Sequence, residues 1–137
     1  MLFRSATYPA IAYSKTTGKV YLAYRNTNLV PAYASVVDCS NGNFVGSNNI
    51  STDAADNIGL AVKSNGNIYI SYNSLSVNTK SLEVKYYDGT SWLSTPSTGV
   101  SSTLSSGWLT LTNLLILPDN SVLIATYKAD EIGRAHV

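Results

Sequence analysis

This 137-residue sequence is poor in charge and in the residues that favour helices. It contains two glutamates, no glutamine and one methionine, and only 12% of its residues are charged. Because those three residue types are among the strong helix formers, their scarcity argues against helical bundles and coiled coils. The net charge is +1 and no basic run is present, so we expect no nucleic-acid partner.

Cysteine, histidine and long apolar stretches are also scarce. The single cysteine, Cys39, excludes an intrachain disulfide and a cysteine-based zinc cluster. The single histidine, His136, stands near the C-terminus, and we predict no metal site and no cofactor. The longest apolar run is about five residues, far short of the roughly 20 that a membrane span needs. No secretory signal is visible at the N-terminus.

The residues that are abundant favour strands and turns. Ser, Thr and Asn supply 45 residues, and there are ten tyrosines. Asn and Ser are typical of turns, whereas Tyr and Thr are typical of strands. The length fits one domain at most. Together these features predict an all-β domain.

Three segments repeat one pattern, in which a short apolar run, a polar turn rich in Gly or Asn, and an alternating strand follow one another. The segments are residues 11–24, 60–72 and 115–126. Equivalent bulky residues on one face of the second strand are Val20, Ile68 and Val122. On the opposite face the equivalent residues are Tyr21, Tyr69 and Leu123, followed by the small Ala23, Ser71 and Ala125. The alternation predicts one face that packs under a bulky layer and one that a neighbour approaches closely.

A second hairpin repeats in phase with the first. Val36 precedes Val84 by 48 positions, and the same offset separates Phe44 from Trp92. Four short strands in a unit of about 50 residues are typical of a β-propeller blade. We therefore predict about two and a half four-stranded antiparallel blades, with a β-sandwich as the alternative. The predicted strands are residues 8–14, 19–26, 33–39, 43–46, 57–63, 67–73, 81–87, 91–94, 111–117 and 121–128.

The repeat divides the chain into five parts. These are an N-terminal segment (1–7), a first blade (8–46), a second blade (47–97), a partial third blade (98–130) and a tail (131–137). Closed propellers use roughly four to eight blades, so this chain cannot close a ring alone. We expect apolar faces at both ends and, as partners, the missing blades of the same propeller.

The segment YYDGTSW, residues 86–92, resembles the Asp-box of sialidase-like (BNR-type) bacterial propellers. The resemblance implies a structural turn formed by Asp88, Gly89 and Trp92, in which the aspartate binds backbone N–H groups and the tryptophan packs between blades. CSNGNF, residues 39–44, is a weaker copy. The resemblance also implies an extracellular or cell-surface bacterial protein.

The catalytic residues of sialidases do not carry over to this sequence. In that family an arginine two residues before a proline binds the substrate carboxylate. The matching proline is Pro9, but Thr7 stands at the arginine position and Arg4 lies three residues too early. No paired Tyr and Glu nucleophile is visible either. We therefore predict no catalytic residues and a non-catalytic binding module for carbohydrate or protein. The alternative is a fragment of a sialidase-like or other glycoside hydrolase whose catalytic residues lie outside this chain.

Polar side chains are predicted at one rim of the blades, where one blade connects to the next. The candidate ligand-binding residues there are Arg25, Asp53, Asp56, Asn73 and Trp108. Trp108 is expected in the long connection after the second blade, where its ring would stack on a ligand. Carboxylates in such loops also serve as turn and cap residues, which is the alternative interpretation. The hairpin turns at 15–19, 64–67, 88–91 and 118–121 are expected at the opposite rim.

The last seven residues, EIGRAHV, resemble the in-frame translation of a DNA-sequencing adapter. Such a tail would never have been selected to pack against the domain. We predict that deletion of residues 131–137 changes the free energy of unfolding by less than about 0.5 kcal/mol. Urea denaturation of the full and shortened chains measures this difference. A larger loss of stability would show that the tail belongs to the fold.

Overall fold

The computed structural model describes residues 6–75, 80–94, 108–129 and 135–136. Within these residues no helix is long and apolar enough to cross a membrane. The strands are β1 (Ala6–Tyr13), β2 (Val20–Asn26), β3 (Tyr33–Asp38), β4 (Ala55–Val62), β5 (Ile68–Leu75), β6 (Lys80–Tyr87), β7 (Trp92–Ser94), β8 (Trp108–Ile116), β9 (Val122–Ala129) and β10 (Ala135–His136). The prediction of an all-β fold is confirmed.

The strands form three antiparallel sheets in chain order. We call them blade 1 (β1-β2-β3), blade 2 (β4-β5-β6-β7) and blade 3 (β8-β9-β10). Within each blade, every strand pairs with its neighbour in sequence. Short turns that contain Gly, Asn or Asp reverse the chain between β1 and β2, between β4 and β5, and between β8 and β9. The predicted strands match the observed ones to within a few residues, with one exception.

The exception is the predicted strand at 43–46, which is reduced to a single bridge between Val37 and Phe44. Gly46 follows it in a left-handed conformation with φ +69°, which bends the chain away from extended geometry. The edge of blade 1 continues irregularly, since the Val45 N–H donates to the Val36 carbonyl and the Ile50 N–H to the Ala34 carbonyl, both at 2.9 Å. We call residues 44–51 the edge segment of blade 1.

The three sheets lie side by side with their first strands adjacent. Strand β4 contacts both β1 of blade 1 and β8 of blade 3. At one end of the sheets the first hairpin turns of the three blades also meet. The Thr16 Oγ1 donates to the Ser64 carbonyl, and the Ser64 N–H donates to the Asn120 Oδ1 at 3.2 Å. This arrangement is that of consecutive propeller blades, and it places the hairpin turns at one rim as predicted. We call it the turn end.

The core lies between blades 1 and 2, and it combines a small face with a bulky one. Blade 1 contributes Ala23, Ala34 and Val36, each with no exposed surface. Blade 2 contributes Ile70 and Tyr72, which are equally buried. Small side chains let the backbone of blade 1 approach the large side chains of blade 2, so little space is left between the sheets. The alternation in the repeat predicted this pairing of faces.

Two side chains of blade 2 fasten it to the edge segment of blade 1. The Trp92 Nε1 donates to the Val45 carbonyl at 2.7 Å, and the Lys85 Nζ donates to the Ile50 carbonyl at 2.8 Å. The indole lies so close to Gly46 that a Cβ there would approach it to 3.1 Å. Trp92 thus packs against the edge segment of blade 1.

The turn before Trp92 is held by the carboxylate of Asp88. The Asp88 Oδ1 accepts hydrogen bonds from the N–H groups of Thr90 at 2.8 Å and Ser91 at 3.0 Å. These bonds hold the pKa of Asp88 below its usual value. Gly89 has φ +105°, a conformation that glycine adopts without steric cost. The family relationship itself stays a prediction.

Each blade carries a bulge near the start of its first strand. The register shifts between Thr7 and Ala10, between Asp56 and Gly59, and between Leu109 and Leu111. An alternating apolar pattern does not reveal an inserted residue, so the bulges were not predicted. In blade 3, β10 pairs Ala135 and His136 with β9. This pairing differs from the expectation that residues 131–137 do not pack against the domain. The adapter origin of the tail stays a prediction.

We predict that Trp92→Ala lowers the free energy of unfolding by about 2–3 kcal/mol. The expected loss lies below that of a fully buried tryptophan because the ring is only half-buried. The matched control is Leu93→Ala, whose side chain is 38% exposed and which we expect to cost less than about 1 kcal/mol. Urea denaturation measures both, and equal losses would show that Trp92 does not fasten the blades.

Candidate functional site

A cleft opens between blades 1 and 2 at the turn end. Its volume is about 410 Å³, which is within the range of small-ligand sites. Blade 1 lines it with polar and aromatic side chains that include Lys19, Tyr21, Asp38 and Phe44. Blade 2 lines it with side chains that include Asn67, Tyr87 and Asp88. Both walls are built from hairpin turns and strand ends, so the packing of the two blades fixes the width of the cleft.

An ion pair stands on the blade 1 side of the cleft. The Lys19 Nζ lies 2.6 Å from the Asp38 Oδ2. The other carboxylate oxygen, Oδ1, accepts hydrogen bonds from the Ser40 N–H at 2.9 Å and the Ser40 hydroxyl at 2.6 Å. Asp38 is the last residue of β3 and is buried, whereas the Lys19 side chain is 44% exposed. The carboxylate therefore holds the lysine in place while the ammonium group still faces the cleft.

These contacts shift the ionisation of both partners. Lys19, through its hydrogen bond, and then Ser40 lower the pKa of Asp38 from 3.8 to about 2. The same hydrogen bond and the charge of Asp38 raise the pKa of Lys19. Both groups stay charged across the neutral range. The cleft thus presents a fixed pair of opposite charges and no net charge from this pair.

Aromatic side chains supply the apolar part of the lining. Phe44 is 39% exposed, whereas Tyr21 is buried against blade 2 and is 8% exposed. Tyr87, from blade 2, lies against Trp92 with ring centroids 5.3 Å apart. Phe44 is therefore the more accessible of the two rings on the blade 1 side of the cleft.

Asparagine-rich turns frame the opening of the cleft. The Asn41 Oδ1 accepts from the Asn43 N–H at 2.8 Å, and the Asn65 Oδ1 accepts from the Asn67 N–H at 3.0 Å. In both hairpins an NGN sequence forms this turn, with the central glycine at positive φ. The turns therefore have a defined shape, and their amides line a preformed opening. Within the described ranges, no group of three or more His, Cys, Asp or Glu side chains is placed to hold a metal ion.

The rim predicted from sequence lies at the opposite end of the blades. Asp56 and Asn73 are paired across β4 and β5, and Asn73 is 1% exposed. Asp53 stands in the connection before β4. Burial is the largest cause that raises the pKa of Tyr72, and the charge of Asp53 makes the smallest contribution. The structure thus places these three polar residues in one region, but it buries Asn73 in the sheet. Their role in ligand binding stays a prediction.

The two remaining candidates of that rim have different surroundings. Arg25 lies in β2 opposite Ala34, and its Nε is buried with no hydrogen-bond acceptor in the described part of the chain. Trp108 was expected in a loop, but it is the first residue of β8 and pairs with Ala129. Apolar residues follow Trp108, so the strand begins earlier in the chain than residue 111, where the repeat pattern predicted its start. The Trp108 side chain lies outside the described residues.

The structure contains a tyrosine–glutamate pair that sequence analysis did not find. The Tyr72 hydroxyl donates to the Glu83 Oε2 at 2.8 Å, across the β5–β6 register. Tyr72 has no exposed surface, and burial is the main cause that raises its pKa. A phenol that is buried and resists ionisation is suited to a structural hydrogen bond. The two residues are 11 positions apart, so only the register of the sheet brings them together.

The ion pair predicts how stability depends on pH. Because the pKa of Asp38 is lowered in the folded state, its ionised form stabilises the protein above about pH 4, and this contribution is lost as the pH falls towards 2. We expect the stability difference between the native protein and Asp38→Asn to be constant down to about pH 4 and to shrink below it. Urea denaturation at several pH values measures this. In a Lys19→Met background the acid dependence should weaken, and an unchanged dependence would contradict the assignment to this pair.

Comparison with known proteins reveals a likeness of fold. No family model and no curated protein sequence matches the chain. A similar solved structure is that of a fucose lectin from Kordia zhangzhouensis in complex with methyl-fucoside. It has a TM-score of 0.56 and 12% sequence identity, and the match covers 93% of this chain and 87% of the lectin chain. At this level of identity the likeness shows that the two chains share an all-β fold.

Proposed function

We propose that this protein is a non-catalytic carbohydrate-binding module and that the cleft between blades 1 and 2 holds the sugar. The observation that carries the proposal is the lining of the cleft, in which an exposed aromatic ring stands beside a fixed ion pair and a frame of amides. Sugars present C–H groups on one face and hydroxyl groups around the edge, so they need both kinds of surface. The fold shared with a fucose lectin supports the same conclusion.

Phe44 supplies the apolar platform of the proposed site. Its ring is 39% exposed and lines the cleft at the end of the blade 1 turn. A pyranose ring stacked on it would release water from two apolar surfaces at once. Stacking on a flat ring needs little reorganisation of the protein, because the NGN turn before Phe44 is already fixed by its own hydrogen bonds.

Lys19 and Asp38 supply directional hydrogen bonds. The ammonium group carries three N–H donors, of which the Asp38 carboxylate occupies one direction. The other donors are available to sugar hydroxyl oxygens. Adjacent hydroxyl groups on a pyranose both donate and accept, so a lysine beside a carboxylate satisfies both roles. Hydrogen bonds to charged groups are stronger than neutral ones, which favours discrimination among sugars.

The balance of charge favours a neutral sugar. The charge of Lys19 is matched by Asp38, and Asp88 adds a further carboxylate to the lining. An acidic sugar such as a sialic acid would meet this carboxylate, and among the described lining residues no unpaired cation offsets it. We therefore infer that the preferred ligands are neutral monosaccharide or oligosaccharide units.

The test is binding of methyl-fucoside and of a panel of neutral glycans by calorimetry. We expect Phe44→Ala to weaken binding at least about tenfold, which corresponds to about 1.4 kcal/mol. The matched control is Leu93→Ala, because Leu93 is equally exposed, at 38%, but does not line the cleft. Leu93→Ala should bind as the native protein does.

Two further variants separate the proposal from the alternatives. Asp53→Asn changes the opposite rim, so a loss of binding there with none in Phe44→Ala would move the site to the rim predicted from sequence. If neither variant alters binding to any glycan that the native protein binds, both sites are wrong. Turnover of a sialoside or another glycoside by the protein would instead support the glycoside hydrolase alternative.

A further inference from the structure

The outer face of blade 1 exposes a row of apolar side chains. Ile11 is 71% exposed, Tyr13 is 58% exposed and Val20 is 38% exposed. Ile11 pairs with Leu22 across the sheet, and Tyr13 pairs with Val20, so these side chains share one face. We call Ile11, Tyr13, Val20 and Leu22 the leading face. The opposite face of the same sheet is buried against blade 2.

Blade 3 exposes its other face. Leu115 is 56% exposed and Leu123 is 47% exposed, and the two residues are paired across β8 and β9. Leu114, which is adjacent in sequence and points to the opposite side, is 7% exposed. We call Leu115 and Leu123 the trailing face. The two exposed faces thus belong to the first and last sheets.

The repeat shows that the leading and trailing faces correspond to the two surfaces that meet in the interface between blades 1 and 2. Val20 is equivalent to Ile68, which is 3% exposed because blade 1 covers it. Leu123 is equivalent to Tyr21, which is 8% exposed because blade 2 covers it. The leading face therefore corresponds to the surface that blade 2 presents to blade 1. The trailing face corresponds to the surface that blade 1 presents to blade 2.

We propose that the leading face of one chain packs on the trailing face of a second copy of the same chain. The contact repeats the packing of blade 2 on blade 1 within the molecule. The leading face takes the place of the blade 2 surface, and the trailing face takes the place of the blade 1 surface. It is heterologous, because the two surfaces that meet are different patches of the chain. Two copies supply two sets of three sheets, and six blades fall within the roughly four to eight that close a ring.

A second copy satisfies both ends at once. A partner that covered only the leading face would leave Leu115 and Leu123 exposed, and the reverse holds for a partner of the trailing face. In a head-to-tail pair, each chain covers the leading face of its partner with its own trailing face. When the ring closes, the leading and trailing faces of both chains are covered. No further copy can then bind to them, so the assembly stops growing.

The experiment is sedimentation velocity over a concentration series, with one acidic substitution on each face. We expect the native chain to form dimers, and Ile11→Asp and Leu123→Asp each to raise the dissociation constant at least about tenfold. The control is Val30→Asp, because Val30 is 95% exposed in the β2–β3 connection, away from both faces. Circular dichroism establishes that each variant is folded.

Mixing the two variants distinguishes head-to-tail packing from a symmetric contact. Ile11→Asp keeps a native trailing face, and Leu123→Asp keeps a native leading face, so an equimolar mixture should recover dimers that neither variant forms alone. As a second measurement, Ile11→Cys with Leu123→Cys in a Cys39→Ser chain should form disulfide-linked dimers on oxidation. A native chain that is monomeric at every concentration would overturn the proposal. So would dimers that neither acidic substitution weakens, or a mixture that stays monomeric.

Discussion

Close contact between a small face and a bulky face is the interaction on which the rest of the molecule depends. Alanines at 23 and 34 let blade 1 approach Ile70 and Tyr72 of blade 2 with no exposed surface left on any of them. A β-sheet with one apolar face gains stability only when that face is covered, so each blade needs a neighbour. The exposed faces of the first and last sheets are apolar surfaces that no neighbouring sheet in the described part of the chain covers.

The cleft is a second consequence of this packing. Its walls belong to different blades, so the cleft exists only where the two blades meet. Trp92 and Lys85 fix the spacing at the outer edge, where both donate to backbone carbonyls of the edge segment. The contacts among Thr16, Ser64 and Asn120 fix it near the inner strands. Stability and the proposed binding site therefore rest on the same inter-blade contacts.

The architecture could be predicted from the sequence because each repeat contains local signals for its strands and turns. Alternation gives the strands and their faces, and turns such as NGN and DGT give the hairpins. The bulges at Tyr8 and Asn57 escaped prediction, because one added residue leaves the apolar pattern almost unchanged. The cleft was not predicted either, although the residues that line it can be read from the sequence. Lys19 and Asp38 are 19 positions apart, and only the pairing of β2 with β3 brings them within 2.6 Å.

The way blade 2 is fastened to blade 1 has a consequence for how such repeats diverge. Both acceptors, the carbonyls of Val45 and Ile50, belong to the main chain, which every amino acid provides. Selection for these two hydrogen bonds therefore acts on the donors, Lys85 and Trp92, and not on the side chains of Val45 and Ile50. Other constraints act on this segment separately: a Cβ on Gly46 would approach the Tyr87 ring to 3.0 Å, and the side chains of Ile50 and Ser51 are buried. Drift should then erase the likeness between the outer edges of successive blades while their inner hairpins remain alike.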